Sequence, residues 1–290
     1  MRSLHSWLAA FVALFVAYQA PQGIGGLWLG QPAIAAAMMV MFLPIAWLVA
    51  RALDLKFAKA YALEWDQPAL TWLVAGFLLA LVAKGLALAI GVRFGIYTPV
   101  PADTASGLSI GMLSWLALST FIPSIAEDIV TRGFWARVPA ISWTAARFVA
   151  VSSSIYVLNH IYRLQNGPAE WLMLFCFGLA YAAAFVRSGT LWAAVGLHWG
   201  WNFAGPAIDL AWPVEVLNMQ SARLLSAAMH LVLLIIALWW LPQVLPRVQK
   251  RSAFTGAECS LARLMTCPGP QRRGHSCCGG GFSRTEEMSD

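Results

Sequence analysis

The sequence predicts an all-α protein, a polytopic membrane bundle of about eight transmembrane helices. Two observations carry that expectation. Of the 290 residues, 60% are hydrophobic and only 11% are charged, against about 25% charged in ordinary soluble domains. The apolar residues also gather into runs that reach the ~20 residues a helix needs to cross a bilayer.

The runs are residues 4–21, 33–53, 68–92, 107–138, 143–163, 170–186, 190–209 and 224–245. The first follows Arg2 and has the outline of a secretion signal. A signal cleaved after Ala20 would have Tyr18 at the −3 position, against the small-x-small rule, so a retained helix is expected. The third contains Lys84, expected to snorkel outward and given no catalytic role. The fourth is long and holds the adjacent carboxylates Glu127 and Asp128, with no other charge between Gly107 and Ala126. In the fifth, Arg147 is expected to reach the inner interface, which places residues 140–146 at the surface. Only Arg187, Ser188 and Gly189 separate the sixth and seventh, the mark of a tight helical hairpin.

These runs divide the chain into N-terminal helices 1–3 (residues 1–106), helices 4–7 (107–209), a last helix (210–249) and a tail (250–290). The tail, with Gly279, Gly280 and Gly281, scattered charges and little periodicity, is expected to be a disordered cytoplasmic segment. Its Cys267, His275, Cys277 and Cys278 lack the paired spacing of a structural zinc site. The other cysteines, Cys176 and Cys259, imply no disulfide framework.

Net charge is +6, spread over loops and tail and not collected into a patch. That excludes nucleic acid as a partner and points to the lipid bilayer. With the N-terminus inside, the inner loops hold Arg51, Lys56, Lys59, Arg137, Arg187, Arg247, Lys250 and Arg251, while the outer loops hold Arg93, Arg163 and Arg223. Both termini are therefore expected in the cytoplasm. Trp28, Trp65, Trp143, Trp171, Trp212 and Trp240 sit near segment ends, as an aromatic belt would. The Ala- and Trp-rich composition and short loops fit a bacterial inner membrane.

Ionisable residues inside a membrane segment cost about 2.5–3.5 kcal/mol each on insertion scales and mark function by default. Asp128 and Arg132 stand four apart, placed for an ion pair, while Glu127 is turned about 100° away. His198 and Asn202 share one helix face by the same spacing, as do Tyr156 and His160. Counted at 1.5 Å per residue from the inner turns, Glu127 lies roughly 18 Å deep, His160 roughly 20 Å, His198 roughly 16 Å and Asn202 roughly 22 Å. One layer in a bundle core can hold all four. A shielded carboxylate there can deprotonate a water, an imidazole can fix that water or pass on its proton, and His198 with Asn202 can donate to an oxyanion. His230, without a polar neighbour, is read as a helix-bridging residue, and Ser152, Ser153 and Ser154 as close helix packing.

Residues 127–132, Glu-Asp-Ile-Val-Thr-Arg, resemble the Glu-Glu-x-x-x-Arg motif of the CPBP family, intramembrane endopeptidases named for CAAX-protein and bacteriocin processing. Tyr156 ahead of His160 resembles the second motif, an aromatic residue three positions before a His, with one extra spacing residue or a Tyr in place of Phe, and His198-x-x-x-Asn202 resembles the third. The resemblance covers about residues 107–209 and implies a four-helix catalytic core. It implies Glu127 as the base that activates water, His160 as a holder of that water, His198 and Asn202 as the oxyanion site, and Arg132 as the residue orienting the acidic pair. Asp128 departs from the family's second Glu.

Such proteins have been described both as metalloproteases and as glutamic peptidases. Without a His-Glu-x-x-His helix, no metal or other cofactor is expected here. The expected function is hydrolysis of a peptide bond in a membrane-associated protein or peptide. A CAAX protein, a leader peptide and a C-terminal sorting segment are the candidate substrates. A carrier using the same buried charges, or a non-proteolytic immunity or scaffold protein, is the alternative.

Overall fold

Each of the eight apolar runs contains a helix. In the structure, a computed structural model describing residues 3–100, 109–139 and 141–245, the long helices are α1 (Leu4–Ala20), α2 (Pro32–Ala52), α3 (Gln67–Arg93), α4 (Ile110–Asp128), α5 (Ala145–Asn159), α6 (Pro168–Ser188), α7 (Leu191–Ala211) and α8 (Met219–Ile235). Among the described residues, six stretches are long and apolar enough to cross a membrane, those built on α1, α2, α3, α4, α6 and α8. The protein is a multi-pass integral membrane protein with an all-α bundle. The tail expected at 250–290, with its Cys and His residues, lies outside the described residues.

Helix starts follow the local chemistry. Asp66, Ser109, Thr144 and Asn218 each accept a backbone N–H of the first turn at α3, α4, α5 and α8, which satisfies donors that a helix start leaves open. The hairpin between α6 and α7 turns at Gly189, whose φ of 77° is left-handed, a conformation glycine adopts without steric cost.

Close packing sets where α7 sits. A Cβ added at Gly76 of α3 would stand 2.9 Å from the Leu197 backbone nitrogen, and one at Gly200 of α7 the same distance from the Ala80 Cβ. Small residues at these positions let the two backbones approach, the usual device where no hydrophobic force drives helices together in lipid. Gly178 of α6 meets Ser153 of α5 in the same way, so Ser153 is packing surface.

A two-stranded antiparallel pair, β1 (Tyr97–Pro99) with β2 (Val214–Val216), was not foreseen. It joins the loop after α3 to the loop after α7. Strictly alternating crossings put those two loops on one side.

Three expectations need correction. Trp143 is only 4% exposed. It does not sit in a lipid-facing belt, because its indole N–H donates to the Trp135 carbonyl at 2.9 Å and its ring packs on Phe148. Helix α5 begins at Ala145, two residues before Arg147, because Thr144 caps it there. It also ends at Asn159, so His160 follows the helix and does not lie within it.

Candidate active site

Helix α4 brings the carboxylates to the centre. Pro123 interrupts its hydrogen-bond ladder one turn before Glu127. After Asp128 the chain widens into a π-type turn, Ile129–Gly133, closed by the Phe134 N–H donating to the Ile129 carbonyl at 2.9 Å. Such widened turns re-aim side chains and recur at functional sites. Every residue from 124 to 133 is buried.

One face of this turn is held by Arg132. Its Nη1 pairs with Asp128 Oδ1 and donates to Thr131 Oγ1 at 2.9 Å. The guanidinium lies over the rings of Tyr156, at 4.8 Å, and Tyr181, at 5.2 Å, the favoured placement for a planar cation. Ser152 of α5 donates to the Thr131 carbonyl at 3.0 Å and ties the neighbouring helix to the turn.

Glu127 points to the other side. The Asn159 side-chain N–H donates to its Oε1 at 3.3 Å. His160 Nδ1 stands 3.4 Å from the same oxygen, and His198 Nε2 stands 3.6 Å from Oε2. His198 Nδ1 lies 3.4 Å from Asp128 Oδ2, so this ring spans both carboxylates. Its plane is set by Tyr181, stacked at 4.9 Å and 21°. His160 Nδ1 is also 2.8 Å from the Tyr156 carbonyl, which can only accept, so that nitrogen carries the proton.

The structure therefore brings Glu127, His160 and His198 together, with Asp128 and Arg132 behind them. Asn202 touches α4 one turn away, its N–H donating to Ser124 Oγ at 3.1 Å. That offset from Glu127 is about 4.5 Å along the helix.

Sequence reading missed three contributors. Asn159 directly contacts Glu127, and Gln19 of α1 donates to Asn159. Tyr181 stacks on His198 while its hydroxyl meets His230 Nε2 at 3.0 Å. Gln19 and Asn159 are polar residues at the ends of apolar runs, so the rule that flagged Glu127 applies to them too. His230 itself bridges α8 to α6 through its Tyr181 contact, while its Nδ1 donates to the Ser226 carbonyl of its own helix at 2.9 Å.

Other buried charges lie apart from this cluster. The Lys84 ammonium sits 4.6 Å over the Trp201 ring, with Asp209 close enough to interact. Glu170 pairs with Arg163 and with Arg223 at 2.7 Å, joining the starts of α6 and α8. A groove of about 740 Å³ runs along the outer face of α1 past His5, Leu8, Val12 and Val16, and neither carboxylate lines it. Its apolar lining is what contact with lipid requires.

Among the described residues, no group of three or more His, Cys, Asp or Glu is arranged to hold a metal ion. The His160 Nδ1 proton, committed to a carbonyl, also withholds that nitrogen from ligation. The geometry instead suits a carboxylate with imidazole and amide groups around it.

Residues 109–204 match the family model described as Type II CAAX prenyl endopeptidase Rce1-like. The matched stretch runs from the start of α4 to within α7 and contains Glu127, Asp128, Arg132, Asn159, His160, His198 and Asn202. The resemblance to the CPBP family of CAAX proteases is thereby borne out. No curated protein matches the chain.

Proposed function

From this Rce1-like stretch, which implies a protease acting on membrane-associated proteins, we propose that the protein hydrolyses a peptide bond with water activated by Glu127. The observation that carries the proposal is the burial of Glu127, 5% exposed, between imidazoles from two other parts of the chain. Separations of 3.4–3.6 Å exceed a direct hydrogen bond. They suit a shared water or a substrate carbonyl bridging the groups.

In the proposed sequence Glu127 takes a proton from the water as its oxygen attacks the scissile carbonyl carbon. His160, at the least buried edge of the cluster, holds the water. His198 Nε2 and Asn202 donate to the oxyanion that forms, each such donor contributing about 2.7–4 kcal/mol in known enzymes. The proton on Glu127 then passes to the leaving nitrogen as the C–N bond breaks, which regenerates the carboxylate. Arg132 holds Asp128 in place, and Asp128 steadies His198. No metal enters these steps.

The charge distribution supports both termini in the cytoplasm, and the Ala- and Trp-rich composition with short loops supports a bacterial inner membrane. A CAAX-type prenylated protein, a leader peptide or a C-terminal sorting segment supplies the bond. Profiling protein termini in membranes bearing wild-type or Glu127→Gln protein tests this reading. New termini that vanish with the variant are expected; identical termini at equal protein levels would sink it.

A further inference from the structure

We propose that Gln19, on α1 and outside the family-matched stretch, is a positioning residue that sets the orientation of Glu127 through Asn159. This inference rests on the reading of Glu127 as the base. Gln19 is 7% exposed and Asn159 is 3% exposed, so neither amide can exchange partners with bulk water. Gln19 Nε2 donates to the Asn159 backbone carbonyl at 2.7 Å and to Asn159 Oδ1 at 3.0 Å. Both partners are acceptors, which fixes the Gln19 amide with its nitrogen toward Asn159.

The consequence passes to the next amide. An Asn side chain has an oxygen end and a nitrogen end of nearly equal shape. Donation to Oδ1 leaves Nδ2 to face Glu127, where it donates to Oε1 at 3.3 Å. Without Gln19, the Asn159 amide is free to turn its oxygen toward the carboxylate, an acceptor against an acceptor.

A glutamate carboxylate rotates in a broad two-fold well. Holding Oε1 therefore fixes the carboxylate plane and directs Oε2 toward His198 Nε2. Tyr18, the neighbour of Gln19, also approaches Glu127 closely enough to interact with it. Helix α1 thus forms one wall of the site.

The test compares wild type, Gln19→Met, Gln19→Glu, Asn159→Ala and the double variant Gln19→Met/Asn159→Ala in proteoliposomes. A fluorogenic farnesylated CAAX peptide and a membrane-tethered leader peptide serve as probes, with thermal unfolding measured on each variant. Gln19→Met is expected to lower kcat about 10–100-fold, the range for a hydrogen bond to a charged group, with KM within about twofold. Gln19→Glu, which keeps the shape and replaces the donor by an acceptor, is expected to lose as much. The double variant is expected to lose no more than Asn159→Ala alone, because both changes break one chain.

Wild-type kcat in a folded Gln19→Met or Gln19→Glu protein would overturn the inference. So would losses that multiply in the double variant, or a loss confined to KM and unfolding temperature. If wild type cleaves, Glu127→Gln does not, and Gln19 variants are normal, only this inference fails. Folded wild-type protein that cuts neither probe, in membranes whose protein termini match those of the Glu127→Gln variant, would overturn the protease reading and this inference with it.

Discussion

Replacing Arg132 by Met tests how the acidic pair is tolerated inside the bundle. Arg132 and Asp128 are both fully buried, and the guanidinium packs on two tyrosine rings. Removing it leaves Asp128 as an uncompensated buried charge beside Glu127. Breaking a buried pair in this way costs about 3–5 kcal/mol. At roughly 2–4 °C per kcal/mol for a chain approaching this size, the unfolding temperature falls by about 6–20 °C.

The pair is also under-satisfied. Asp128 Oδ2 and Arg132 Nε and Nη2 have no hydrogen-bond partner. Removing both charges together should therefore cost less than removing one. Asp128→Asn/Arg132→Met is expected to regain at least half of the lost stability. Activity should stay low, about tenfold or more below wild type, because His198 loses the carboxylate that it faces. Thermal unfolding in detergent, followed by near-ultraviolet circular dichroism, measures the first effect. An Arg132→Met protein within about 1 kcal/mol of wild type would refute this electrostatic account. A double variant no more stable than the single would do the same.

Two further outcomes follow from the site. Tyr181→Phe keeps the ring on His198 but leaves His230 Nε2 without its donor. Stability should drop about 1–3 kcal/mol while cleavage stays within a few-fold, as chemical denaturation and a peptide assay would reveal. Treatment with a zinc chelator is expected to leave cleavage unchanged, since the proposed steps use no metal. Loss of activity restored by added zinc would overturn that mechanism.

The helices were legible because lipid leaves few alternatives: an apolar run of this length has to be helical. The charged triplet was legible for the same reason. Asp128 and Arg132 pair at i, i+4 even though Arg132 lies within the widened turn. The depth estimates put Asn202 about 4 Å beyond Glu127, and the structure places it one turn away, at Ser124.

Contacts between distant residues were not legible in this way. Gln19 and Asn159 are 140 positions apart, and nothing local in either stretch names the other. The end of α5 was missed because Tyr156 through His160 reads as one continuous helix, whereas the His160 ring nitrogen satisfies the Tyr156 carbonyl. Trp143 was misplaced because proximity to a helix end does not tell whether an indole faces lipid or folds under a neighbour.

The central claim is that Glu127 activates water, and reconstituted wild-type, Glu127→Gln and Glu127→Asp proteins test it most directly. Mass spectrometry of the products of a defined membrane-tethered peptide gives the rates. Losing a general base lowers rate by about 10²–10⁴-fold, so Glu127→Gln should fall in that range with unchanged helicity and unfolding temperature. A Glu127→Gln protein that cleaves within tenfold of wild type would contradict the claim.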